Sequence, residues 1–331
     1  MNKQIKVLAV VILVCYAAVF VKLNQIQVLD ADDYNSRPDN TRSLQRDFNQ
    51  PRGDIITADG SVAATSEVRR AALRYQRVYP DGELFSAVTG YYSFTLGSDG
   101  VERTYNEQLA GRTASLKLNR LSGFFSDTSS EGDVVLTVRK DVQQVARQAL
   151  GDRKGSVVAI DPRTGAVLAM WSSPTFDPNL LSNNDAQQAR NVKKLYEASP
   201  QKPLLPKAYR ERYFPGSTFK VVTSTAGLTS GAVTPQAPDY PVVTSYTPPL
   251  TTKPISNFGG EACGGTLFVV LARSCNTSFA QMAAENLGPD PMIEAAQAAG
   301  FGPVPPVDLP RPAVSRYPTA FGSVERRPAG Q

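Results

Sequence analysis

Ser217 and Lys220 are the two residues of this 331-residue chain whose types and spacing could do chemistry together. They stand in Arg212-Tyr-Phe-Pro-Gly-Ser-Thr-Phe-Lys220, which continues into an apolar stretch that reads as a helix from Thr218 to about Leu228. Residues three apart share a helix face, so the Lys220 amine can reach the Ser217 hydroxyl. Ser217 would also stand at the helix N-terminus, where free backbone N–H groups favour developing negative charge. A nucleophile beside a base is what covalent catalysis requires. The plain alternative is a serine that only caps a helix, which is the commoner use of that position. Two features weigh against it. Phe219, Val221, Val222, Ala226 and Leu228 leave the helix little polar face, so it is expected to be buried, and an inward lysine then needs a task or a partner. The chain has no histidine, which excludes a Ser-His-Asp triad and makes lysine the natural base.

A second polar group, Ser274-Cys275-Asn276, falls at the expected break between two apolar helices. One is expected to run from an N-cap at Thr266 to near Arg273, the other from Thr277 to Leu287. Alone, the tripeptide reads as an interhelical turn. Cys263 and Cys275 are the only cysteines beyond Cys15. As an even pair in an oxidising compartment they are expected to form a disulfide, with two buried free thiols as the alternative. Closing a loop of about a dozen residues would contribute on the order of 3 kcal/mol and would pin Ser274 and Asn276.

Several elements must position these groups. Asp141–Leu150 carries Val142, Val145, Ala146, Ala149 and Leu150 at helical spacing and stops at Gly151. Gly155 to Trp171 reads as two strands joined by Asp161-Pro-Arg-Thr-Gly165, apolar at nearly every position and so expected in a covered sheet. Residues 182–211 read as a polar connection to the serine, and residues 234–254 as a Thr/Pro-rich loop. Upstream, residues 29–133 are mixed, with short β-like runs. Arg52-Gly53 leads into a strand, Asp59-Gly60 is a hairpin-type turn, and Val101–Gly111 is a helical pattern with a glycine stop.

The amino-terminal run Val7–Val21 is unbroken apolar or small residues between Lys6 and Lys22. Fifteen helical residues span roughly 22 Å, short of a hydrocarbon core of about 30 Å. Leu23, Ile26 and snorkelling by the flanking lysines can make up the difference. No small-x-small cleavage site follows, so an uncleaved anchor is expected over the rival signal peptide. Composition agrees with a globular chain of about two domains: 41% apolar, 20% charged and a net charge of +5. The basic residues are spread out, which points away from nucleic acid, and without histidine a zinc or iron site is not expected.

With both polar groups in view, Arg-Tyr-Phe-Pro-Gly-Ser-Thr-Phe-Lys resembles the active-serine motif of the class B penicillin-binding proteins, the actinobacterial ones in particular. The interval from Ser217 to Ser274 matches that family's Ser-x-Asn motif. Asn35-Ser-Arg-Pro-Asp-Asn-Thr-Arg42, Pro51-Arg-Gly-Asp-Ile-Ile56, Gly90-Tyr-Tyr-Ser-Phe and Val101–Gly111 are similar to its pedestal signatures. Ser172-Ser-Pro-Thr-Phe-Asp-Pro-Asn179 is similar to the loop after its first hairpin. The resemblance implies an α+β fold in three parts: residues 1–28 as cytoplasmic tip and membrane anchor, 29–133 as a β-rich pedestal of the dimerisation type, and 134–331 as a partial transpeptidase domain. In the family the hairpin opens a five-stranded sheet on which the active helix packs.

The implied activity is a peptidoglycan D,D-transpeptidase, with Ser217 as nucleophile, Lys220 as base, Ser274 as proton relay and Asn276 as a hydrogen-bond partner of the substrate amide. Implied partners are peptidoglycan stem peptides, β-lactam antibiotics, the cytoplasmic membrane, and cell-division or elongation proteins docking on the pedestal. No cofactor is implied. The family's third motif, Lys-Thr/Ser-Gly, does not occur after Asn276. The expectation is therefore a C-terminally truncated form, impaired because that strand supplies an oxyanion-hole N–H. Two rivals stand beside this reading: a membrane-anchored, non-catalytic scaffold or β-lactam sensor, and a serine β-lactamase, against which the anchor and pedestal argue.

Overall fold

In a computed structural model that describes residues 2–30, 42–71, 73–113 and 132–320, the amino-terminal run is helix α1 (Asn2–Asn24), continued by a π-helical turn, Gln25–Leu29. Lys3–Leu29 is long and apolar enough to cross a membrane. The helix extends past the apolar run at both ends because Lys3, Gln4, Lys6, Lys22 and Leu23 are good helix formers. Most of the Asn35–Arg42 signature lies outside the described residues.

Contacts divide the chain into two units, Met1–Ala208 and Tyr209–Gln331. In the first, β1 (Ile55–Ile56), β2 (Val62–Val68) and β3 (Tyr75–Val78) form an antiparallel meander. Strand β4 (Val134–Val135) joins parallel to β1, giving the order β3-β2-β1-β4. Gly53 is required beside this junction, since a Cβ there would collide with the Gly132 carbonyl. The helical pattern over Val101–Gly111 is realised as two short turns, Gly100–Thr104 and Asn106–Leu109, broken at Tyr105.

A buried ion network stitches this unit. Glu102 is fully buried and receives Arg52 Nε at 2.7 Å and Arg77 Nε at 2.6 Å. Arg52 also donates to the Glu102 carbonyl (2.8 Å) and to Asn106 Oδ1 (2.9 Å), and its guanidinium lies 3.9 Å over the Tyr92 ring. The Tyr79 hydroxyl completes the cage at 3.2 Å from Glu102 Oε1. Two of the resemblance signatures, around Arg52 and around Glu102, thus meet in space.

Helix α2 (Lys140–Leu150) packs on the hairpin β5 (Gly155–Ile160) and β6 (Val167–Ser173). Its Gln143 is fully buried and bridges elements: Nε2 donates to Leu84 O and Met170 O, and Oε1 accepts from Met170 N. Strand β6 is the buried member. β5 pairs on one side only among the described residues, and Val158 and Ile160 stay exposed, unlike the covered strand its composition predicts. The reason is positional, since α2 covers the hairpin chiefly through β6. The expected polar connection over 182–211 contains helix α3 (Ala186–Ala198), whose first turn is capped by Asp185 through Gln187 N and Gln188 N.

The second unit carries helix α4 (Phe219–Thr229), β7 (Tyr240–Val243), β8 (Cys263–Gly265), and helices α5 (Leu267–Ala272), α6 (Asn276–Gln281) and α7 (Pro289–Ala298). Strand β7 sits inside the stretch read as a loop, and β8 pairs with it antiparallel. The second expected helix splits into α6 and a π-helical segment, Met282–Leu287. The core gathers Phe219, Ala226, Val270, Phe279, Met282 and Met292. Helix α4 is not buried all round: Lys220 and Ala226 face the core, while Val221 and Leu228 are exposed.

Candidate active site

Ser217 lies on a 3₁₀ turn, Gly216–Thr218, that runs directly into α4. Pro215 and Gly216 make the turn possible, Gly216 with φ of +55°, a conformation glycine adopts without steric cost. The turn leaves Ser217 exposed and places Lys220 one turn further on, on the inward face, where it is 1% exposed.

The Lys220 amine is the hub. Its Nζ lies 3.3 Å from Ser217 Oγ and 3.0 Å from Ser274 Oγ, and it donates to the Ser274 carbonyl at 2.7 Å and to Asn276 Oδ1 at 2.6 Å. All four predicted residues are therefore gathered on one nitrogen. Burial lowers the Lys220 pKa from the ordinary lysine value, and no carboxylate pairs with the amine among the described residues to oppose that shift. A neutral amine has two N–H bonds and one lone pair. The two carbonyl oxygens can only accept, so they take both N–H bonds. The single lone pair is then left to accept from one hydroxyl at a time, that of Ser217 or of Ser274, each able to donate.

The break between α5 and α6 is tight. Ser274 takes φ of +57°, a region sparsely populated by non-glycine residues and found where surrounding structure over-determines the backbone. That twist turns both its carbonyl and its hydroxyl toward Lys220. Cys275 follows, joined to Cys263 by a disulfide with Cα atoms 5.5 Å apart, which ties the break to β8. Thr266 takes the extended backbone of an N-cap for α5, but its side chain makes no cap hydrogen bond.

In front of these groups lies a cavity of about 460 Å³ whose polar lining includes Ser217, Lys220 and Asn276. Its apolar wall includes Phe279, Met292, Phe301 and Tyr317. Tyr317 stacks on Phe219 with centroids 5.5 Å apart, and Phe301 meets both edge-on. The irregular, proline-rich stretch 303–320 thus contributes a wall that no local motif announces. The stretch 255–257 was equally silent in the sequence. Ser256 O accepts from Asn276 Nδ2 at 3.0 Å, and Asn257 Oδ1 accepts from Thr277 N at 3.1 Å.

The sequence matches the penicillin binding protein transpeptidase domain over residues 155–327 and the penicillin binding protein A dimerisation domain over residues 52–135. It is 38% identical to the peptidoglycan D,D-transpeptidase PbpA of Mycolicibacterium smegmatis, over 92% of this chain and 64% of the relative. It is 35% identical to the Mycobacterium tuberculosis PbpA, over 92% of this chain and 63% of the relative. The imipenem acyl-enzyme complex of M. tuberculosis penicillin-binding protein A superposes with a TM-score of 0.74 at 32% identity, covering 78% of this chain and 61% of that one. The chain spans less than two thirds of the length of these relatives. Matched along nearly its whole length in sequence and by solved structures in fold, the chain belongs to the penicillin-binding protein transpeptidase family.

Proposed function

We propose that this chain is the acyl-accepting part of a peptidoglycan D,D-transpeptidase and that β-lactams acylate it at the same serine. The four contacts of the Lys220 amine carry the reading. Neutral Lys220 takes the proton as Ser217 Oγ attacks the penultimate D-Ala carbonyl carbon, forming a C–O bond. The peptide C–N bond then breaks, and the terminal D-Ala leaves as its amine receives a proton relayed through Ser274. An amine of a neighbouring stem peptide attacks the ester and restores the Ser217 hydroxyl. Asn276 keeps Lys220 oriented and offers its amide to the substrate backbone. Such a base typically contributes about 10²–10⁴-fold in rate.

The proposal places residues 1–28 as a single-pass anchor in the cytoplasmic membrane, 29–133 as pedestal and 134–331 as transpeptidase domain, extracytoplasmic. The apolar length of Lys3–Leu29 and the disulfide both support that topology. Cell-division or elongation proteins would dock on the pedestal. These 331 residues contain no Lys-Thr-Gly or Lys-Ser-Gly. For a polypeptide of these residues alone, the loss of one oxyanion donor would slow reaction by roughly 10²–10³-fold. Fluorescent penicillin with mass mapping of the adduct tests both. Slow, stoichiometric labelling of Ser217, absent in Ser217→Ala, is the expected result. A drug adduct on another side chain overturns the catalytic assignment, and labelling at the speed of a complete relative overturns the impairment.

A further inference from the structure

We infer that Asn257 is a positioning residue for the acylation chemistry, acting through Asn276; the inference rests on the functional reading above. Helix α6 begins at Asn276, and its N-cap residue, Cys275, makes no side-chain cap. Cys275 cannot cap, because its sulfur is committed to Cys263. The first backbone N–H groups of a helix need acceptors, and here one acceptor comes from another loop. Asn257 Oδ1 takes Thr277 N at 3.1 Å and Thr277 Oγ1 at 3.2 Å. Both residues are buried, at 7% and 1% exposed, so a lost bond would not be replaced by bulk water.

The other half of the Asn257 amide fixes the loop itself. Its Nδ2 donates to Val243 O at 2.9 Å and to Glu261 O at 3.0 Å, and its backbone N–H donates to Thr244 O at 3.2 Å. One side chain therefore ties the end of β7, the approach to β8 and the start of α6 together. The residue before it finishes the task, since Ser256 O receives Asn276 Nδ2 at 3.0 Å. An amide whose nitrogen is held by a carbonyl must present its oxygen on the other side, and that oxygen sits 2.6 Å from Lys220 Nζ. The polarity of Asn276 is thereby set by the 256–257 loop, and with it the acceptor that consumes one Lys220 N–H. Without that lock, the Asn276 amide can rotate and the lysine lone pair is no longer directed at Ser217.

The test compares wild type, Asn257→Ala and Thr277→Val, the last keeping the Thr277 N–H bond to Asn257 while removing the hydroxyl, which bonds Asn257 Oδ1 at 3.2 Å and, more weakly, Cys263 O at 3.4 Å. Acylation by a chromogenic penicillin is separated into the rate of the covalent step and the affinity of the prior complex, and each variant is crystallised. Expected for Asn257→Ala is a covalent step slower by roughly 10²-fold, as for a small misplacement of a reacting group. Affinity should change by a smaller factor than the covalent rate, since the prior complex loses at most its bond to the Asn276 amide. The crystal structure should show Asn276 Oδ1 out of hydrogen-bond reach of Lys220. Thr277→Val should move in the same direction by a smaller factor. If Asn257→Ala does not fold, Thr277→Val and its crystal structure decide. Unchanged covalent rates, a loss confined to affinity, or an Asn276 that stays on Lys220 in the variant would overturn the role of Asn257. An adduct missing from Ser217 in the wild type would instead overturn the functional reading, and the crystal structures would still judge Asn257.

Discussion

Two buried cations illustrate opposite uses of charge in this molecule. Arg77 in the first unit and Lys220 in the second are 2% and 1% exposed. Burial alone pushes the Arg77 pKa down, yet the Glu102 carboxylate reverses this and holds it above the ordinary value. Burial likewise pushes Glu102 up, and the Arg77 and Arg52 guanidiniums overcome it and hold the carboxyl below its usual range. Each charge there exists because the other does. Among the described residues Lys220 has only neutral acceptors, so burial acts unopposed and its pKa falls. A compensated charge is a fastener; an uncompensated one gives up its proton more readily, as the proposed base must. Among the described residues the difference is made by one carboxylate, present beside the arginines and missing beside the lysine.

Breaking the fastener should have the largest effect. Glu102→Ala leaves two buried guanidiniums without their counter-ion, and removing one partner of a buried pair costs about 3–5 kcal/mol. The first unit should melt far earlier, measured by calorimetry, whereas an unshifted transition would mean the network is solvated and the contrast false. The complementary change is Lys220→Met, which keeps length and removes the amine. Labelling by fluorescent penicillin should fall roughly 10²–10⁴-fold. Thermal stability should hold or rise, because a buried uncompensated amine is replaced by an apolar chain. A melting loss as large as that of Glu102→Ala would make Lys220 structural too.

The sequence made the lysine legible and the arginines not. Ser217 and Lys220 are local, three residues apart, and a helix period is enough to bring them together. Ser274 and Asn276 were legible as a polar break between apolar helices, but their convergence on the amine needed the resemblance. The Arg52–Glu102 pairing spans 50 residues, and nothing local in either signature announces the other. Asn257 was invisible for the same reason, since the N–H it caps belongs to Thr277, twenty residues later. Helix α3 is a different kind of miss. Asp185 with Gln188 three residues on is a capping-box-like signal that was there to be read. The exposed face of α4 shows the limit of composition, because an apolar helix predicts burial without saying which faces find partners.

The disulfide tests how far the second unit relies on covalent rather than ionic fastening. Cys263→Ser with Cys275→Ser should lower stability by about 3 kcal/mol, the chain-entropy value for a short loop, read from chemical denaturation. The acylation rate should drop as well, because the Ser274 backbone would be freer to relax from its left-handed conformation. A double variant as stable and as reactive as wild type would mean that the hydrogen bonds of Asn257 hold the break unaided.

The two cations should finally separate along the pH axis. For Glu102, with its folded pKa held below the unfolded value, stability is present above the ordinary carboxylate range and is lost as pH falls through the folded pKa. On the proposed mechanism Lys220 acts as the neutral amine, so acylation should climb as pH rises through a pKa lowered from the ordinary lysine value of 10.5. The rate profile at constant temperature should therefore show its rising limb in a range where calorimetry finds the first unit unchanged. A limb centred at or above 10.5 would mean that the amine is compensated after all, by a group beyond the four contacts described, and the distinction between fastener and base would fail at its reactive end.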